Sequence, residues 1–185
     1  MSASRRPQWL TNMGSQQPII ITGFMGSGKT TVARALAKTL NRSVFDLDQI
    51  ITAREGPSPR EIIEQDGEAA FREIETRILR EVLEDASPGI VALGGGAWTV
   101  PRNRVLIAER GGLTVWLDVP FEVCWQRILA AGNERPLARE EFQARNLYAE
   151  RRTDYGFAQL HVETGENQSL DEICAEIAWA VTGAR

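Results

Sequence analysis

The octapeptide GFMGSGKT, Gly23 to Thr30, constrains this chain more than any other stretch. Before it stands PIIIT, a short β-branched run without polar alternation, which reads as a buried strand of a parallel sheet. After it comes KTTVARALAKTL, where Val32, Leu36 and Leu40 recur at helical spacing and Ala33, Ala35 and Ala37 support the helix. Gly23, Gly28, Lys29 and Thr30 fit the pattern G-x-x-x-x-G-K-[ST] in its required strand–loop–helix context. The glycines let successive N–H groups turn inward, and the helix N-terminus adds a positive dipole end, so the loop suits phosphates. Lys29 is expected to neutralise β- and γ-phosphate oxygens, and the Thr30 hydroxyl to ligate Mg²⁺. The expected nucleotide contacts are Gly26, Ser27, Gly28, Lys29, Thr30 and Thr31. This implies a nucleoside triphosphate and leaves kinase, GTPase and ATPase open. The sequence has no guanine signature such as N-K-x-D, and small metabolite and nucleotide kinases fit its length best.

At 185 residues the chain suffices for one domain with a real core and is short for two. A net charge of −4 argues against a broad grip on nucleic acid. Cys124 and Cys174 lie far apart and His161 is the single histidine, so neither a zinc cluster nor a disulfide framework is expected. Both cysteines read as small core residues. No apolar run approaches the ~20 residues that span a bilayer, so no membrane association is expected. The N-terminus has basic residues but lacks the apolar segment of a secretory signal. Residues 1–17 are expected to be a flexible tail and 18–185 a single domain, cytoplasmic and monomeric.

SVFDLD is a second strand candidate, followed by a helical DQIITARE that EGPSP interrupts. Ser58 offers an N-cap with Pro59 at the first helical position, and that helix should end near Gly67. A longer helix then places Phe71, Ile74, Ile78 and Val82 on one face. GIVALGGGA is a third strand, a helix follows Pro101, GLTVWLDVP is a fourth strand, and PFEVCWQRILAAG is helical. NERPLAREEF is polar and charged, LHVETG a short last strand, and SLDEICAEIAWAVTG a closing helix with a Ser169–Glu172 capping box. This alternation predicts a parallel sheet with helices on both faces.

Two stretches bear on the acceptor. DLD closes the second strand, and strand carboxyl ends face the ligand crevice in open α/β sheets. If the extended backbone persists, Asp46 and Asp48 share one face, one serving the metal's water shell and the other an acceptor hydroxyl. Gly94, Gly95 and Gly96 are costly in conformational entropy and make sense where a ligand or neighbouring backbone comes close.

The order phosphate loop, DLD, GEAAFREIE, LGGGA, ERPLA, ERRTDY resembles shikimate kinase, in the nucleoside-monophosphate-kinase-like group of P-loop proteins, from roughly Pro18 to Gly183. The resemblance implies a three-layer α/β/α P-loop kinase fold with a central five-stranded parallel sheet, a shikimate-binding region at about 48–80 and a mobile lid at about 130–143. It implies Mg²⁺-dependent transfer of the ATP γ-phosphate to the 3-hydroxyl of shikimate, giving shikimate 3-phosphate and ADP on the route to chorismate and aromatic amino acids. Asp46 would serve Mg²⁺ through water, and Asp48 would bind the reacting hydroxyl and act as its base. Arg72 and Arg151 would grip the carboxylate, a task suited to bidentate guanidinium groups. Gly94, Gly95 and Gly96 would line the pocket, Arg135 would reach from the lid to the transferring phosphoryl group, and Arg127 would stack on adenine.

Thr153–Asp154 stand where the family has Pro-Leu before the tyrosine, and Arg145 and Arg152 rival Arg151 for the carboxylate. Two other readings compete: a gluconate-type kinase, which FDLD and GGGAW fit less well, and a non-catalytic nucleotide-binding module. The latter would need a loss at Lys29, Asp48 or Arg135, and all three are present.

Overall fold

The computed structural model describes residues 17–85, 89–131, 140–164 and 168–182. Apart from Gln17 the expected tail lies outside them, as do Arg135 and most of the expected lid. Five strands form one sheet in the order β2-β3-β1-β4-β5, with β1 Ile19–Thr22, β2 Val44–Asp46, β3 Ile90–Ala92, β4 Leu113–Asp118 and β5 Leu160–Glu163. Every pairing is parallel. The helices α1 Lys29–Leu40, α2 Leu47–Glu55, α3 Pro59–Glu84, α4 Pro101–Glu109, α5 Phe121–Ala130, α6 Glu141–Tyr155 and α7 Leu170–Thr182 flank the sheet. This is the three-layer P-loop kinase arrangement. Among the described residues no helix is long and apolar enough to cross a membrane.

Ile19, Ile20 and Ile21 are fully buried because β1 has a strand on either side and helices beyond. Its neighbours β3 and β4 end beside it, Ile21 pairing with Ala92 and with Val115. The segments that follow these three strands therefore emerge at one edge of the sheet. This edge is the crevice where open α/β folds bind ligands.

Three local features differ from or sharpen the expectations. The DLD stretch does not stay extended: β2 stops at Asp46 and α2 starts at Leu47. The Asp46 carboxylate accepts a hydrogen bond from the Gln49 N–H, an N-cap that favours immediate helix initiation. Asp46 and Asp48 therefore do not share a strand face. Second, α3 is two helical pieces meeting at Gly67, whose φ of 88° and ψ of 164° are not helical. The break at Gly67 was legible, and so was the Ser58 cap, which proves to be a full capping box with Glu61. Third, α6 was not anticipated. Its fifteen residues, EFQARNLYAERRTDY, bury only Ala144, Arg151 and Tyr155, so no apolar stripe announces it.

The capping box satisfies the first orphan amides of α3, with the Glu61 carboxylate 2.6 Å from Ser58 N. We expect Ser58→Ala to lower stability by about 1 kcal/mol in urea unfolding. An unchanged midpoint would mean that α3 needs no cap to start where it does.

Candidate active site

The phosphate loop depends on glycine for conformation and for space. Gly23, Gly26 and Gly28 have φ of 143°, 79° and 90°, a region side-chain-bearing residues rarely adopt. A methyl on Gly23 would stand 2.7 Å from Leu117 O, and one on Gly26 2.6 Å from Cys124 O. Lys29 folds back over the loop, its Nζ donating to Gly23 O at 3.0 Å and Phe24 O at 2.8 Å. Beside it the Thr30 hydroxyl donates to Asp46 Oδ2 at 2.6 Å. Arg127 lies on the exposed side of the loop and donates to Gly26 O at 3.2 Å.

Next to this loop opens a cleft of about 1060 Å³. Its wall includes Met25 of the loop, Asp48 of α2, Arg72 and Glu75 of α3, Gly94 to Gly96, and Arg151 of α6. The three glycines have no positive φ; what they supply is room. A methyl on Gly94 would sit 2.8 Å from both Asp48 Oδ1 and Glu75 Oε1. One on Gly96 would run into the Arg72 guanidinium, and one on Gly95 would lie 3.6 Å from Arg151 Nη1. The close approach expected at these glycines comes from the charged side chains of the cleft itself.

Arg72 is held by two acids on its own helix. Its Nη1 donates to Glu75 Oε2 at 2.7 Å and its Nη2 to Glu68 Oε1 at 2.8 Å. Its side chain is only 14% exposed, so the helix-surface pairing and the cleft position coexist. Among the three rival arginines, Arg151 alone lines the cleft, and it is 6% exposed. Arg152 makes two 2.6 Å bonds to Asp118, and Arg145 pairs with Glu122 and Glu141 at 2.9 Å each. Asp154, an acid close to an anion-seeking cleft, is engaged by Arg104 at 3.0 Å.

Glu75 was missed at the level of sequence. It continues the buried stripe of α3, four residues after Phe71 and three before Ile78, all three with little or no exposure. An acid on an apolar stripe was the signal. Burial pushes its carboxyl up to about 7; Arg72 opposes this without overcoming it, and the Asp48 carboxylate adds to the rise. Tyr155 was also passed over. It is buried, its hydroxyl donates to Gly95 O at 2.5 Å, and burial raises its phenol well above the ordinary range. Asp118, at the end of β4, is a third: it holds Arg152 and lies 2.9 Å from His161 Nε2.

A strand-to-helix phosphate loop, a hydroxyl–carboxylate pair beside it and an adjoining cleft that brings two arginines together with an aspartate define a P-loop kinase, an ATP-dependent phosphotransferase by class. The shikimate kinase family model matches residues 25–182. A shikimate kinase of Geobacter sulfurreducens is 40% identical over 177 residues, covering 94% of this chain and 96% of that one. The structure of shikimate kinase from Acinetobacter baumannii in complex with shikimate superposes with a TM-score of 0.83 at 32% identity, covering 94% and 97% of the two chains. A gluconokinase of Sinorhizobium meliloti, at 17% identity and a TM-score of 0.60, shares the fold alone. The chain belongs to the shikimate kinase family.

The raised carboxyl has a signed consequence for stability. Below about pH 4.5 Glu75 is protonated in both folded and unfolded chains; between there and about 7 only the unfolded chain releases its proton. The native state therefore loses stability across that window and no further above it. Glu75→Gln removes this slope. We expect the stability of the wild type relative to the variant, from urea midpoints, to fall as pH rises through the window. A difference independent of pH would show that Glu75 ionises as an exposed acid does.

Proposed function

We propose that this chain catalyses Mg²⁺-dependent transfer of the γ-phosphoryl group of ATP to the 3-hydroxyl of shikimate, yielding shikimate 3-phosphate and ADP for aromatic amino acid biosynthesis. The observation that carries this reading is the meeting of Asp48, Arg72, Arg151 and the glycine floor in one cleft beside the phosphate loop. A small acid bearing a hydroxyl complements it, with two arginines for a carboxylate and an aspartate for a hydroxyl.

On this reading the loop amides from Gly26 to Thr31 and the N-terminus of α1 hold the triphosphate. Lys29 leaves the Gly23 and Phe24 carbonyls for β- and γ-phosphate oxygens. Arg127 stacks on the adenine. The Thr30 hydroxyl and Asp46 carboxylate are hard oxygen donors, partly buried and already paired. They fit Mg²⁺, which takes few carboxylates and keeps several waters, with Thr30 binding directly and Asp46 through water. When bound, the ion offsets the charge of the phosphate oxygens. Arg72 and Arg151 grip the shikimate carboxylate against Gly94, Gly95 and Gly96. Asp48 binds the 3-hydroxyl and takes its proton as the oxygen attacks γ-phosphorus and the bond to the ADP oxygen breaks.

Arg135, which lies outside the described residues, stabilises the transferring group on this reading. Residues 18–185 act as one domain, with the acceptor region at about 48–80, and the enzyme works as a cytoplasmic monomer.

A coupled assay for ADP release with shikimate, gluconate or no acceptor tests the substrate. Turnover should appear with shikimate only. Turnover with gluconate alone would reject the assignment, and ATP binding without turnover would favour a nucleotide-binding module.

The two aspartates should fail differently. Asp48→Asn should lower kcat by at least about 100-fold with ATP affinity kept. Asp46→Asn should chiefly raise the Mg²⁺ concentration needed for half-maximal rate. Matching defects in both variants would refute the division of roles.

A further inference from the structure

The last turn of α6 delivers Arg151 to the cleft and Tyr155 to its floor, and Asp154 stands between them in sequence. Asp154 belongs to a closed circuit of three hydrogen bonds. Trp98 Nε1 donates to Asp154 O at 2.9 Å. Arg104 Nη1 donates both to Asp154 Oδ1 at 3.0 Å and back to Trp98 O at 2.9 Å. The circuit joins three separate segments: α4, the short 3₁₀ turn Ala97–Thr99 that follows the glycines, and α6. The Arg104 guanidinium is further covered by the Phe157 ring, 5.0 Å from its centroid.

This differs from an ordinary surface ion pair, which contributes little. The Arg104 and Asp154 side chains are 21% and 32% exposed, and the pair shares its donor with a backbone carbonyl. Backbone and side chain of Asp154 are held at once, which fixes both the rotation and the advance of the helix end. Three residues earlier, almost one turn back on the same helix, is Arg151. On the other side of the circuit, Trp98 directly follows the Gly94–Ala97 segment, whose Gly95 carbonyl receives Tyr155.

We infer that Asp154, with Arg104 and Trp98, is a positioning residue for acceptor binding: it sets where the Arg151 guanidinium stands relative to the glycine floor. This rests on the reading that Arg151 binds the acceptor's carboxylate. The Arg104–Asp154 tie also neutralises an acid that would otherwise repel an anionic ligand near the cleft.

Steady-state kinetics on the full chain test the inference, with thermal midpoints measured alongside. Asp154→Ala should raise KM for shikimate about fivefold, with kcat and KM for ATP within about twofold. Asp154→Asn, which keeps a neutral acceptor for Arg104, should fall between wild type and alanine. Trp98→Phe keeps an aromatic ring but removes the N–H donor together with part of the buried indole, and should reproduce the same selective rise at smaller size. An unchanged shikimate KM in both Asp154→Ala and Trp98→Phe overturns the inference. So does a parallel loss for ATP and shikimate, or a lowered thermal midpoint with normal kinetics, since these mark a merely structural tie. A wild type that turns over no shikimate removes the functional reading beneath it, and an active wild type with insensitive variants removes this inference alone.

Discussion

Complete burial of β1 is the constraint from which the site follows. Three consecutive isoleucines with no exposure can lie only where strands flank them and helices cover them. That places β1 between β3 and β4, and parallel pairing brings the ends of all three to one edge. Each chain segment leaving that edge carries part of the site: the phosphate loop after β1, the three glycines after β3 and α5 with Arg127 after β4. The loop is even moulded by its neighbours, since the Leu117 and Cys124 carbonyls leave no room for side chains at Gly23 and Gly26.

Charge within the cleft is arranged by burial as much as by pairing. Arg72 and Arg151 bring two fixed positive charges into a place with little solvent. Glu75 meets them as an acid whose burial keeps its proton affinity high, so it holds Arg72 in place while contributing a reduced negative charge near neutrality. Asp48 stands at the same cleft on the exposed first turn of α2.

The parts of this architecture that were legible in sequence are those with strong local physics. The phosphate loop, the Ser58 cap, the interruption at Gly67 and the alternation of apolar runs with amphipathic helices all announce themselves within a few residues. Arg72 and the glycines line the cleft from the motifs that singled them out, and Arg151, preferred in the sequence over Arg145 and Arg152, reaches it through the rotation of α6. That rotation depends on contacts with Asp118, Arg104 and Gly95, far apart in sequence, which no local pattern encodes. The extended reading of DLD failed because Asp46 is both the end of a strand and a capable N-cap, and capping won. Glu75 was announced only by its place on the apolar stripe of α3, and Asp118 escaped because its partners Arg152 and His161 are far away in sequence.

The distribution of the cleft along the chain has a consequence for how competence is acquired. The phosphate loop is made of contiguous residues near the beginning of the described chain, whereas Arg151 arrives on the sixth of the seven described α-helices. The loop packs on the Leu117 carbonyl of β4 and the Cys124 carbonyl of α5, and the wall of the cleft that Arg151 supplies comes later in the chain. That wall is tied to the end of β4 through Arg152 and Asp118 and to the glycine segment through Tyr155 and Gly95. The acceptor-side wall thus draws on contacts far apart in sequence, which makes it conditional on more of the fold than the loop is. An acceptor site built this way reports the integrity of the entire sheet, while the loop beside it reports only its centre.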